Sequence, residues 1–399
     1  MRRHFLTIFL IGVLGICNAQ ERRFSYTINK DENSVPEFEV PDPLTLNNGK
    51  AVKNVRTWEK KRRPELLAMF ENEMYGTVPG RPAGLRFEAT VLDSAAFDGL
   101  AVRKSVKIII GDSTSFTALV HCPKAAERPS PVFAGVNFYG NDSTLVGTKA
   151  YQWPYETILK AGFGVATVWR DEIELDKWNK RGRGIRDAFS DEYSWGAVAA
   201  WAWALSRVMD YIETDPDLDE TMVIAIGHSR LGKAALWAAA ADPRFAMAVS
   251  NNSGCAGVAM SKRVFGENLD AIQQKFPHWF CSNLLKYSCN EQALPFDQHE
   301  LIALIAPRPV YVASADEDLW ADPKGEWMSA YLAGCVYELY GVRGLVGDGT
   351  MPPVGKPQVD GNIGYHIRSG RHAILPYDWE QYIDFAKKRL NNGKKAYNY

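Results

Sequence analysis

Residues 223 to 236 form an apolar, strand-like run that ends in Gly227-His228-Ser229 and passes at once into the alanine-rich pattern Arg230 to Leu236. A serine on so tight a strand-to-helix turn is lifted above the edge of a sheet, where its hydroxyl can act as a nucleophile. Strand and helix almost touch at such a turn, so small residues are needed, and Gly227 and Gly232 supply them. The spacing is G-x-S-x-x-G rather than the commoner G-x-S-x-G. The amino end of the helix adds unpaired amides and a positive dipole end, both suited to a developing oxyanion. Arg230 follows the serine, and its guanidinium can reach an oxygen that gains negative charge. Lys233 lies four residues beyond Ser229 and shares its helix face. Two cations beside a nucleophile suit an oxygen-rich substrate better than a lipid chain. The competing reading is a phosphate-binding or purely structural turn carrying two solvated helix charges.

A serine hydrolase of this order needs an acid and then a histidine downstream. Of the seven histidines, His4 falls in the leader, His121 precedes the turn, and His228 sits inside it, unable to reach back to its neighbour. His278 and His299 lie in or beside an aromatic segment ahead of the last strands. His366 and His372 remain. His366 belongs to a strand pattern, whereas His372 follows Ser369-Gly370-Arg371 in a loop before the final helix, so His372 is the favoured base. The acid is expected in the loop after the strand Pro309–Ala313, where Asp316, Glu317, Asp318 and Asp322 crowd together and spacing does not choose among them.

The elements that must hold these groups are legible as alternation. Apolar runs at 131–138, 163–169, 222–226, 245–250, 309–313 and 363–367 read as strands. Between them lie helical patterns at 153–160, 193–212, 231–241, 323–339 and 377–390. That order predicts a mainly parallel sheet with helices on both faces, a three-layer α/β sandwich. Upstream, 52–75 reads as a helix stopped by Gly76, and 102–110 and 116–122 as a strand pair around Gly111-Asp112. Residues 255–300 interrupt the alternation with an aromatic-rich insertion, a segment of the kind that sits over strand ends as a lid. The expected organisation is a leader over 1–19, an extended arm over 20–50 and one catalytic domain over 51–399.

Composition narrows the function classes. Forty-six Lys and Arg against forty-seven Asp and Glu leave a net charge of −1, which argues against a nucleic-acid binder. No long apolar run follows the first nineteen residues, so a polytopic membrane protein is excluded. The basic start Arg2-Arg3, the apolar stretch Phe5 to Ile16 and the small residue Ala19 make a secretory signal, with cleavage after Ala19 preferred to lipidation at Cys17. The other five cysteines show neither disulfide-framework nor zinc spacing, and no cofactor or metal is implied. A monomer acting on a glycan, secreted or periplasmic, is the expectation.

Gly227-His228-Ser229-Arg230-Leu231-Gly232-Lys233 resembles the G-x-S-R-x-G-K signature of the glucuronoyl esterases, carbohydrate esterase family 15. The resemblance extends from Tyr75-Gly76-Thr77-Val78-Pro79 through Phe276-Pro277-His278-Trp279-Phe280 to Gly370-Arg371-His372, covering roughly residues 55 to 390. It implies an α/β-hydrolase that cleaves esters between glucuronic acid of xylan, often 4-O-methylated, and lignin alcohols. By that likeness Ser229 is the nucleophile, Arg230 the oxyanion support and His372 the base. Lys233, Trp320 and Gln273 or Gln274 are then substrate contacts. Many members carry a glutamate as triad acid where this sequence has Asn252, an amide that cannot stabilise imidazolium by charge. The resemblance therefore moves the acid to the later loop, at Asp318. Two rivals stand beside this reading: an acetyl-xylan or other carbohydrate esterase on the same fold, and a non-catalytic glycan-binding protein.

Overall fold

The computed structural model describes residues 25–390, apart from 112–113, 125–128, 143–151, 179–183 and 190–192. The expected leader with Cys17, the first residues of the arm and Asp112 lie outside them. Nine strands form one sheet: β1 Arg86–Ala95, β2 Ala101–Ile110, β3 Thr114–Pro123, β4 Ser130–Asn137, β5 Gly164–Trp169, β6 Leu218–His228, β7 Met247–Asn251, β8 Val310–Ala315 and β9 Ile363–Arg368. Their spatial order is β1-β2-β3-β5-β4-β6-β7-β8-β9. The first three pair antiparallel and β3 meets β5 antiparallel, while every pairing from β5 to β9 is parallel.

The parallel half is covered on both faces, which is why its strands read as unbroken apolar runs. One face packs under the helices Ala197–Ile212 and Arg230–Ala241, around Trp201, Leu205, Ala234 and Trp237. The other packs under the helix Pro376–Leu390, around Phe133, Ile224, Trp379 and Tyr382. The strand at 86–95 was not expected, because its exposed edge position leaves an almost entirely solvent-facing sequence with no apolar face to detect. The expected helix at 52–75 is a continuous helical run broken twice by π turns, at Trp58–Arg62 and Glu71–Tyr75. The expected helix at 323–339 is two helices, Pro323–Leu332 and Gly334–Leu339.

The segment 255–300 is tied down along its length. Trp279 and His278 present their carbonyls to the amides of Val198 and Ala197 at the start of the helix Ala197–Ile212. Gly196 is needed there, since a Cβ would stand 2.1 Å from the Trp279 oxygen. On its other side, the Cys281 amide donates to the carbonyl of Met74 and the Asn283 side chain to that of Asn72. Residues 25–32 run along the same segment, with the Gly266 amide on the carbonyl of Asn29 and the Asn268 side chain on that of Thr27.

Candidate active site

β6 runs straight into the helix Arg230–Ala241, and Ser229 takes up the whole change of direction with φ 57° and ψ −130°. A non-glycine residue rarely adopts that backbone, and holding it there costs about 1–3 kcal/mol, supplied by the surrounding fold. The Ser229 amide donates to the carbonyl of Asn251 on β7 at 2.9 Å, and its own carbonyl accepts from the amides of Gly232 and Lys233. The approach of strand to helix is so close that a Cβ on Gly227 would lie 2.0 Å from the carbonyl oxygen of Leu231. Arg230 is the first helical residue, and an amide in the first helical turn has no acceptor within its own helix.

His372 comes from the loop after β9, and its ring centroid lies 4.5 Å from that of His228, the residue preceding the serine. Its Nδ1 is hydrogen-bonded to Oδ2 of Asp318 at 2.6 Å. Asp318 is buried, whereas the His372 side chain is 40% exposed, so one ring edge is anchored and the ring remains open to the cleft. The same Asp318 oxygen accepts from Asn252 Nδ2 at 3.0 Å. Asn252 therefore helps orient the acid. His228 is held by Asn251, Nδ1 to Oδ1 at 2.6 Å. Burial, with repulsion from His372, pushes its imidazole down to about 3, so it stays neutral beneath the other ring.

The other acids of the loop after β8 are engaged elsewhere. Asp316 accepts the Gly370 amide, Glu317 pairs loosely with Arg371, and Asp322 caps the helix Pro323–Leu332 while binding Arg263. His366 is fully buried on β9 between Asp378 and Tyr311.

Arg230 is fixed by a residue that spacing did not reveal. Its Nη1 meets Asp176 Oδ2, which also accepts from Arg170 at 2.7 Å. The second oxygen of Asp176 meets Trp279 Nε1 at 2.7 Å and His278 Nε2 at 3.0 Å. Burial would raise this carboxyl, but the His278 hydrogen bond, the Arg230 and Arg170 charges and the Trp279 indole hold it well below the usual range. The guanidinium carbon also lies 4.4 Å from the ring centroid of Trp279 and 5.0 Å from that of Phe276, two rings stacked 3.8 Å apart. The signal available in sequence was a carboxylate-rich loop after β5, at the same end of the sheet as the serine.

Lys233 is not a solvated helix charge. It is buried, and its Nζ donates to the carbonyls of Ser253 and Cys255, both at 2.5 Å. Burial pushes its ammonium down, opposed by Glu267, whose carboxylate lies 4.0 Å away. Glu267, also missed in the sequence, is raised by burial despite Lys233 and a hydrogen bond with Trp320. Lys233, Glu267 and Trp320 thus form one polar cluster.

The two glutamines require correction. Gln273 is buried, with its amide on the Leu284 carbonyl and the Ser288 hydroxyl, which folds the 255–300 segment onto itself. Gln274 exchanges two hydrogen bonds with the peptide of Ser25 and a third with Asp270. The Gln273 amide nitrogen and both ends of the Gln274 amide are engaged by the scaffold rather than held out to a sugar. A cavity of about 740 Å3 between Val55–Arg63 and Pro307–Arg308 holds neither nucleophile nor base and lies at the opposite end of the parallel strands.

Comparison with known proteins gives the family. A family model described as glucuronyl esterase of fungi matches residues 107–341. A carbohydrate esterase from an unknown prokaryotic organism is 40% identical over 414 residues, 94% of each chain. The solved glucuronoyl esterase from Solibacter usitatus superposes with a TM-score of 0.85 at 43% identity, covering 90% of this chain and 100% of that one. A 4-O-methyl-glucuronoyl methylesterase from Podospora anserina is 30% identical over 294 residues, 71% of this chain and 56% of that protein. A strained serine at the end of β6, on a mostly parallel sheet shared with these relatives, leads to one conclusion: the chain belongs to the glucuronoyl esterases, carbohydrate esterase family 15, carboxylic ester hydrolases of the α/β-hydrolase fold.

Proposed function

We propose that this protein is a serine esterase that hydrolyses the ester joining glucuronic acid, with or without a 4-O-methyl group, to an alcohol, and that it acts outside the cytoplasm. The observation that carries the reading is the Asp318–His372 hydrogen bond, with the His372 ring against His228, the residue before a serine in nucleophile-elbow geometry. Nδ1 of His372 is taken by the acid, so Nε2 is the atom left to accept a proton. In the first half-reaction Ser229 Oγ bonds to the uronate carbonyl carbon while its proton passes to Nε2. The carbonyl oxygen becomes an oxyanion, met by the Arg230 amide and guanidinium. Collapse breaks the bond to the alcohol oxygen, which takes the proton from Nε2. Water then repeats the sequence on the acyl-enzyme and releases the free uronate.

The cluster of Lys233, Glu267 and Trp320 sets an ammonium, a carboxylate and an indole side by side, a polar lining that suits a hydroxyl-bearing acyl group better than an acetyl group. The test is hydrolysis of benzyl glucuronate set against acetylated xylan, with Ser229→Ala as control. Release of benzyl alcohol that is lost in Ser229→Ala supports the reading. Deacetylation of xylan without uronate ester cleavage moves the protein to the acetyl-xylan rival, and no turnover of either leaves the glycan-binding one.

A further inference from the structure

We infer that Lys275, together with the rings of Tyr26 and Trp320, forms a second sugar subsite that receives the glycosyl residue to which the esterified uronate is linked. The inference rests on the uronate reading above. Lys275 ends the helix Leu269–Lys275, and its Nζ lies 4.0 Å from the ring centroid of Trp320 and 5.3 Å from that of Tyr26. Among the described residues this ammonium meets no hydrogen-bond acceptor. Three charged N–H donors are therefore held between two aromatic rings, and all three side chains are partly exposed. The rings stabilise the cation only in part, and the donors remain for a ligand oxygen. Aromatic faces beside fixed donors suit a pyranose, which offers C–H groups on its faces and hydroxyls at its rim.

Position says which part of the substrate reaches this ledge. Trp320 bonds Glu267, Glu267 faces Lys233, and Lys233 follows Ser229 on one helix face. The ledge is thus the outward continuation of the polar cluster. On the other side, Phe276, the residue after Lys275, packs on Arg230. The departing alcohol must lie by His372, which protonates it, so the ledge faces the glycan rather than the alcohol.

Residues 25–32 make the ledge rigid. The Ser25 peptide is gripped in both directions by Gln274, 249 positions away, and the Glu32 carboxylate bridges Arg263 and Lys324. Tyr26 is thereby ordered before any ligand arrives, which reduces the entropy lost on binding. This gives a role to Gln274 that differs from direct sugar contact: it fastens the segment that supplies the ring.

The test compares kcat/KM for two benzyl esters, one of glucuronic acid alone and one of glucuronic acid linked to xylose, in the wild type, Lys275→Met, Tyr26→Ala and Gln274→Ala. The wild type is expected to prefer the xylose-linked ester. Lys275→Met and Tyr26→Ala should each reduce that preference roughly five- to tenfold through KM, and Gln274→Ala in the same direction by less. A wild type with no preference, or an equal loss on both esters, overturns the subsite while leaving the uronate reading intact. A variant that instead alters the ratio between methyl and benzyl esters of the same sugar places the ledge on the alcohol side and also overturns it. If the wild type hydrolyses neither ester, the uronate reading itself fails and takes the subsite with it. Thermal melting of each variant separates these outcomes from misfolding.

Discussion

Arg230 is held by a carboxylate below and two stacked rings beside it, so its guanidinium is in place before an oxyanion forms. Removing one preformed oxyanion donor costs about 10²–10³ in turnover, and Arg230→Ala should lose that much kcat on benzyl glucuronate. Near wild-type turnover would remove it from the chemistry. Asp176→Asn keeps the shape but takes away the charge that pins the guanidinium, and should lower kcat about tenfold with KM little changed. For the acid, Asp318→Asn should cost on the order of 10³–10⁴ in kcat. Asn252→Ala, which removes one hydrogen bond to the same oxygen, should cost only a few-fold. The reverse ranking would overturn the assignment of Asp318 as the acid. Ser229, His372 and the acidic loop were legible in the sequence because strand order places such groups at one end of a parallel sheet. Asp176 and Glu267 were not, because their meeting with Arg230 and Lys233 depends on how loops 54 and 34 residues away fold back.

The turn at Ser229 shows how an element positions a side chain. With the strand and helix carbonyls this close, Gly227→Ala forces the turn apart and should destabilise the protein by about 3 kcal/mol or more, read from urea unfolding. A fully folded, fully active Gly227→Ala protein would contradict the elbow geometry. Gln273→Ala leaves the buried Leu284 carbonyl unpaired, and should lower stability by about 1–2 kcal/mol without raising KM for benzyl glucuronate. A raised KM at unchanged stability would restore the sugar contact that its family resemblance implied. The alternating strands and helices were readable because each buries a continuous apolar surface. The edge strand at 86–95 buries almost nothing, and the π turns at 58–62 and 71–75 arise from packing that no local pattern encodes.

At the scale of the molecule, buried titratable groups pull stability in opposite directions. Burial pushes His121 and His228 down to about 3 and His299 to about 4. The unfolded chain takes up these protons first, so stability is lost as pH falls from about 6.5 towards 3–4. Burial pushes Asp297 up to about 6 and Glu326 to about 8. The unfolded chain releases those protons first, so stability is lost as pH rises from about 4 to 8. The urea midpoint should therefore pass through a maximum inside this range. Glu326→Gln, which keeps an acceptor for the Gly254 amide, should flatten the alkaline side. A midpoint that climbs steadily to pH 9 would contradict the burial of these carboxyls.

All of this converges on one hydroxyl made nucleophilic by one imidazole, and a phosphonate that reacts only with activated serines reports on that pair without reference to substrate. Peptide mapping after labelling should place the adduct on Ser229 alone, with a labelling rate that falls by about 10³ or more in His372→Ala. Adduct on another residue, or labelling of Ser229 at an undiminished rate without His372, would contradict the account.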